Sequence, residues 1–376
     1  MVDDSEQSNV RITVPSRSEK SENDPQLHTS PVVRRPDYTI VVPVTDALLT
    51  SNTGINVRRF LQTAIALAAD NDGSVLLLGL ASVESEASVE VVREYVRSDQ
   101  PTDVDSEEAV GIVTDRKTQL EQVLNVAEEL NPSVSVNAVV RTVTESTRGV
   151  LKAIDRENET AVLLLRGTDL DRGRLFSRSK VDRVLADAAC DVFVEDLGAQ
   201  GGSNALYVPD VEDHAVASLA ESEATKIDSI LLPVGMGAHA ALATEAARAI
   251  ARASGASVTI LHVISPEASA RERAEAKDLL RFAEYILGPE VSVDTELREA
   301  SDTVDEIVQE AHGHKLTSVG FPEEKARLKR LVFSSVQEEL SAQSDTTIVM
   351  ARDSDRTMRS LYYRWKRGME ETEEDQ

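Results

Sequence analysis

Ile227-Asp-Ser-Ile-Leu-Leu-Pro-Val234 repeats the pattern of Asp37-Tyr-Thr-Ile-Val-Val-Pro-Val44, about 190 residues earlier in the chain. Both are short apolar runs, and the earlier one is rich in β-branched residues; such runs read as buried strands. The segments downstream of the two runs repeat as well. After the first run, a polar loop over 45–56 leads into an amphipathic helix over 57–69. Asp70-Asn-Asp-Gly73 closes that helix, and Ser74–Ala81 is a second buried strand. After the second run comes an Ala-rich helix over 242–254, then Gly255, then the strand Ser257–Ile264. One structural unit is therefore present twice.

The first copy continues with an acidic stretch over 82–110, a long helix over 114–130 stopped at Asn131-Pro132, and a strand over 134–140. A helix over 146–158, a strand over 161–166, a helix over 179–189 and a strand over 191–195 complete it. The second copy has a long helix over 268–287, a strand over 291–297 and a helix over 303–313. A strand over 316–320, a helix over 335–342 and a strand over 346–351 complete the second copy. Strands alternating with helices imply right-handed βαβ units and parallel sheets. The fold class expected is α/β, with two doubly wound parallel five-stranded sheets in tandem. The domains expected are 37–197 and 227–352. Residues 1–36, polar and without periodicity, read as a disordered tail. Residues 198–226 read as a linker with one strand-like insertion over 205–208, and 353–376 as a C-terminal tail.

Composition narrows the function. Aromatics make up 3% of the chain against 41% apolar residues, so the cores must be aliphatic, as suits parallel strands under Ala-rich helices. There are 66 acidic and 40 basic residues, a net charge of -26. Such a surface repels nucleic acid, which is excluded as a partner. An acidic surface poor in Lys suits a halophilic protein in molar salt, where the Debye length falls to about 3 Å. The lone Cys190, among apolar neighbours, reads as a small buried residue in a chain without disulfides. There is no run of 18 apolar residues and no apolar signal core, so the expected location is cytoplasmic, with a peripheral membrane association as the variant.

These residues resemble the universal stress protein family over 37–197 and 227–352. The resemblance rests on Pro43-Val44 and Pro233-Val234 at the ends of the opening strands and on the string Gly255–Val263. It rests further on the closing segments Ser179–Val194 and Ser335–Leu340. The tandem arrangement resembles haloarchaeal members, and Gly235–Ala240 resembles stress-protein domains appended to amino-acid permeases. The resemblance implies the adenine-nucleotide alpha-hydrolase-like fold, a stress-response regulatory role, and ATP or AMP as the ligand of the members that bind one. In those members an Asp follows the first strand, and a Gly-x-x-Gly with a later Gly-Ser/Thr follows the fourth. Glycines there let backbone N–H groups approach phosphate. This chain departs from that pattern. Asp46 comes one place late after Thr45, and Gly235 stands at the equivalent place in the second copy. Gly167 opens the first loop, but Leu170 replaces the second glycine and Arg178-Ser179 the Gly-Ser. Gly320 opens the second loop, and Ser334-Ser335 replaces the Gly-Ser. The candidate cofactor-binding residues are therefore Asp46, Gly167, Ser179, Gly235, Gly237, Gly320, Ser334 and Ser335, in degenerate loops.

No P-loop, nucleophile elbow, Cys-x-x-Cys or His-Glu-x-x-His occurs, and no carboxylate pair stands out from the acidic surface. The expectation is a non-enzyme; a weak ATPase is the alternative if the loops hold nucleotide. Gly235 and Gly237 read first as turn geometry, His239 as a polar helix start and His262 as a satisfied core residue. His312 and His314 lack further ligands for a metal. The segment 356–367 gathers basic residues with Tyr362, Tyr363 and Trp365, the only tryptophan. It is expected to fold back on the acidic body, with docking to a membrane or a transporter as the alternative. The partners expected are the other domain, in a pseudo-dimer through the strands 191–195 and 346–351, then a second copy, or an amino-acid or cation transporter.

Overall fold

The computed structural model describes residues 10–13, 38–44, 57–98, 104–131, 133–154, 160–166, 180–197, 227–321 and 346–374. In the first half lie strands β1 (Val10–Thr13), β2 (Thr39–Val44), β3 (Ser74–Ser82), β4 (Ser135–Val143), β5 (Thr160–Leu165) and β6 (Asp191–Asp196). Its helices are α1 (Val57–Asp70), α2 (Glu86–Ser98), α3 (Val104–Leu130), α4 (Ser146–Ile154) and α5 (Lys180–Asp187). The second half has β7 (Ser229–Pro233), β8 (Ser257–Ile264), β9 (Ser292–Glu299), β10 (Leu316–Gly320) and β11 (Thr347–Arg352). Its helices are α6 (Ala240–Ser254), α7 (Ala270–Leu287), α8 (Thr303–Ala311) and α9 (Met358–Glu374).

All the described strands lie in one eleven-stranded sheet, ordered β1-β4-β3-β2-β5-β6-β11-β10-β7-β8-β9. Two parallel five-stranded sheets were expected, meeting at the strands 191–195 and 346–351; they join there into a single mixed sheet. Pairing within each half is parallel, and the halves are joined by antiparallel pairing of β6 with β11, Met350 opposite Val194 and Ala351 opposite Phe193. The physical reason is that a fifth strand, buried on both faces and apolar, cannot leave its hydrogen-bonding edge to water. The matching edge of the other copy satisfies it about a pseudo-twofold axis. β1 and β9 are left as the outer edges.

A correction concerns the N-terminal tail. Val10–Thr13 pairs in parallel with β4, Val10 opposite Ala138 and Thr13 opposite Arg141. Four residues are too few to show a period, but their alternation suits an edge strand. The expected helix over 335–342, the strand-like piece over 205–208 and the loops over 45–56 and 167–179 lie outside the described residues.

Helices cover both faces. On one face α1, α3, α6, α7 and α9 close over Ile40, Val42, Leu77, Ile230 and Ile260; on the other α4, α5 and α8 close over Val41, Leu164, Val192 and Leu231. The aliphatic composition is what permits strands to be buried on both sides.

Candidate functional site

In the second half, β7 has β10 on one side and β8 on the other. The chain runs from β7 to β8 and β9 in one direction and from β10 to β11 in the other. This is the topological switch point, where doubly wound sheets open a crevice beyond the carboxyl ends of their strands. Gly235, Gly237 and Gly320 are all brought to this end. The other candidates, Asp46, Gly167, Ser179, Ser334 and Ser335, lie outside the described residues.

The three glycines differ. A Cβ on Gly320 would stand 2.9 Å from the carbonyl carbon of His239 and 3.0 Å from the amide nitrogen of Ala240. The end of β10 is thus packed on the first turn of α6, and glycine is required there for close approach. At Gly235 and Gly237 a Cβ would meet nothing within 4 Å, and neither has a positive φ. Turn geometry, the expected reason for these two, does not require glycine at either.

His239 stands at the N-cap of α6 without capping it through its side chain. Its buried ring instead accepts a hydrogen bond at Nδ1 from the amide of Asp353, at 3.1 Å, which leaves the ring proton on Nε2. His262 Nδ1 lies 2.8 Å from the carbonyl oxygen of Val234 and pins the start of the glycine loop.

Beside the loop is a cavity of about 860 Å³, lined by Met236, His262, Glu272, Tyr362, Lys366 and Arg367, among others. Its roof is α9, the basic and aromatic segment. Tyr362 meets the ring of Phe282 edge-on at 5.6 Å, and Trp365 meets Phe282 at 5.5 Å. Lys366 Nζ bonds Asp278 at 2.7 Å. The C-terminal segment therefore folds back on α7. Its root is fixed by Asp353, whose carboxylate accepts from the amides of Asp355, Arg356 and Thr357 and from the Thr357 hydroxyl.

The same root reaches into the first half. The Ser354 amide and hydroxyl both donate to Asp191, each at 2.9 Å, and the Tyr38 hydroxyl donates to the other oxygen of Asp191. Arg352 donates to the carbonyls of Ala188 and Cys190. Two carboxyls near this junction hold their protons to higher pH than usual. Burial pushes Glu245 up to about 8, with Asp191, Asp353 and Asp70 adding repulsion and Arg248 opposing. Burial pushes Glu195 up to about 7 against the pull of Arg59 and a hydrogen bond from Thr63. Burial and Asp191 raise the Cys190 thiol to about 11, which makes it a poor nucleophile. Among the described residues no group of three or more His, Cys, Asp or Glu is placed to hold a metal ion.

The His239–Asp353 and Asp191–Ser354 contacts were not legible in the sequence, since both join positions more than 100 residues apart. One local signal was present: Asp353, three and four residues before Arg356 and Thr357, has the spacing of a helix-capping aspartate.

The fold is α/β, a large mixed sheet with helices on both faces and a crevice at the carboxyl ends of β7 and β10. Residues 226–352 match the model of the universal stress protein family, which makes that segment a remote homologue of it. No curated protein matches the sequence. Among solved structures, a universal stress protein from Archaeoglobus fulgidus DSM 4304 is similar, at 15% identity, over 85% of this chain and 97% of that one, with a TM-score of 0.46. The cytoplasmic domain of a prokaryotic cation chloride cotransporter is similar at 15% identity, over 85% and 96%, with a TM-score of 0.45. A universal stress protein in complex with cAMP is similar at 22% identity, over 34% and 97%, with a TM-score of 0.28. No described helix is long and apolar enough to cross a membrane.

Proposed function

We propose that the chain is a non-catalytic regulatory module of the universal stress protein type, made of two copies of one α/β unit held as an intramolecular pseudo-dimer, with nucleotide loops that no longer serve phosphate. The observation that carries this reading is Gly320. The glycine that opens the fourth-strand loop is taken up by contact with the His239–Ala240 peptide, and the neighbouring His239 ring is engaged by the Asp353 amide. The acidic surface suits work in molar salt. The test is ATP turnover by the full chain in molar KCl. Phosphate release no faster than in buffer fits the proposal; release that Gly237→Ala abolishes contradicts it.

A second reading is an ATP or AMP sensor. Gly235 and Gly237 favour it, being open to an approaching ligand and not required by the backbone. Slowed amide exchange over 234–242 on adding ATP or AMP supports this reading, and unchanged exchange rejects it. A third reading is a soluble partner of an amino-acid or cation transporter. It draws on Tyr285 and Tyr363, each 60% exposed on α7 and α9. Co-sedimentation with native membranes that is lost on deleting 356–376 favours it.

A further inference from the structure

The first half holds a second cavity, of about 550 Å³, away from the switch point. It lies where α2, the carboxyl end of β4 and the start of α4 meet. Gly149 lets α4 sit this close to the sheet, for a Cβ there would stand 2.7 Å from Val143 Cγ1. The cavity is lined by three acidic and four basic side chains.

The acids are all engaged. Glu86 accepts from the Thr144 hydroxyl, and Glu90 pairs with Arg93. Glu145 caps α4, accepting from the amides of Thr147 and Arg148. The bases other than Arg93 are not. The side chains of Arg141, Arg148 and Lys152 have no ion pair or hydrogen bond among the described residues. Arg148 and Lys152 stand on the rim, four apart on α4 and so on one helix face. Arg141 is the decisive one: it is 8% exposed, lines the cavity and has no counter-charge among the described residues. Burial pulls its guanidinium below the ordinary value. A buried, unpaired arginine is costly and is normally matched by an anion. On a chain of net charge -26, a cavity whose four cations outnumber its three carboxylates is more basic than the prevailing surface.

We propose that this cavity is a binding site for a small oxyanion, a carboxylate or phosphate group on a compact organic body, with Arg141 as its buried partner and Arg148 and Lys152 at the mouth. Guanidinium suits such a group because its planar fork can donate two parallel hydrogen bonds. The cavity exceeds what bare phosphate fills, which leaves room for the body that carries the anion.

Equilibrium dialysis of labelled inorganic phosphate against the full chain tests this, at constant high ionic strength in potassium fluoride. The expected result is saturable binding of one phosphate, weakened at least about tenfold by Arg141→Met. The ligand-free Arg141→Met protein is expected to melt no lower than the native one, since an unpaired buried charge has been removed. Arg148→Gln with Lys152→Gln, on the surface, is a second variant, expected to weaken binding several-fold with the fold intact. Competition by methyl phosphate against acetate shows which head group is preferred, and either preference fits. Absence of saturable binding by folded protein overturns the proposal. So does binding unaltered by both variants, or a lower melting temperature in Arg141→Met, which would mark Arg141 as structural.

Discussion

Asp70 and Arg248, 178 residues apart, meet across the helix pair that joins the two halves: one Asp70 oxygen accepts from Nε at 2.9 Å and lies 2.8 Å from Nη2. The other Asp70 oxygen accepts from Arg252 at 2.7 Å, and Arg248 also donates to the carbonyl of Ile286. The Asp70 side chain is almost wholly buried. One carboxylate at the end of α1 thus receives two arginines from α6, on the face of the sheet opposite the Arg352 contacts.

Removing that carboxylate leaves Arg248, largely buried, without its counter-charge. Breaking such a pair from one side costs about 3–5 kcal/mol. Asp70→Asn is expected to fall at the lower end, because Arg252 is partly solvated and an amide oxygen still accepts one hydrogen bond. Urea unfolding in molar KCl measures it. The loss is expected to persist at high salt, since buried pairs are little screened.

Glu195 and Glu245 set a pH dependence. Both hold their protons to higher pH folded, about 7 and about 8, than unfolded, near the usual 4.5. Between those values the folded chain binds more protons than the unfolded one. Their contribution is therefore fully present below about pH 4.5 and lost as pH rises toward 7–8. Glu245→Gln is expected to flatten the decline between pH 5 and 8 and to raise the melting temperature at pH 8 relative to the native chain. Melting curves across that range decide it; a native stability that climbs toward pH 8 with an unchanged variant would count against these assignments.

Gly320→Ala and Gly237→Ala are the same chemical change in two environments. At Gly320 the added methyl meets backbone atoms that cannot turn aside, so β10 and α6 must separate. A loss of about 1–3 kcal/mol is expected, as in overpacked cores. At Gly237 the methyl enters open space, and a change within about 0.5 kcal/mol is expected. Chemical denaturation of the pair gives the comparison directly.

Tyr362 is buried between α9 and α7 against Phe282. Tyr362→Ala should cost about 3 kcal/mol and loosen the packing of Trp365. Since Trp365 is the only tryptophan, its emission should move to the red in the variant. A native emission maximum already at the value of free tryptophan in water would show that α9 is not docked.

Much of the fold could be read from the chain, and the reason is local. Strands such as 75–78 and 161–165 are continuous apolar runs, and the repeat placed each in order. The parts that could not be read depend on contacts between distant segments. The repeat pointed to 191–195 and 346–351 as the meeting strands, but the antiparallel register that continues the two sheets into one comes from two buried edges meeting. Val10–Thr13 is a strand only because β4 lies beside it. At the site, sequence located Gly235, Gly237 and Gly320 but not their difference, which is set by how closely α6 approaches each. Arg141 gave no signal at all, since one arginine in a strand looks solvent-facing until its neighbours are known.

Calorimetric titration of the folded full chain with ATP and with AMP in molar KCl is the decisive measurement. A regulatory module whose loops no longer serve phosphate gives no heat beyond dilution, and its partners are then sought elsewhere. Saturable micromolar binding, lost in Gly237→Ala, would contradict that reading and make the chain a nucleotide sensor.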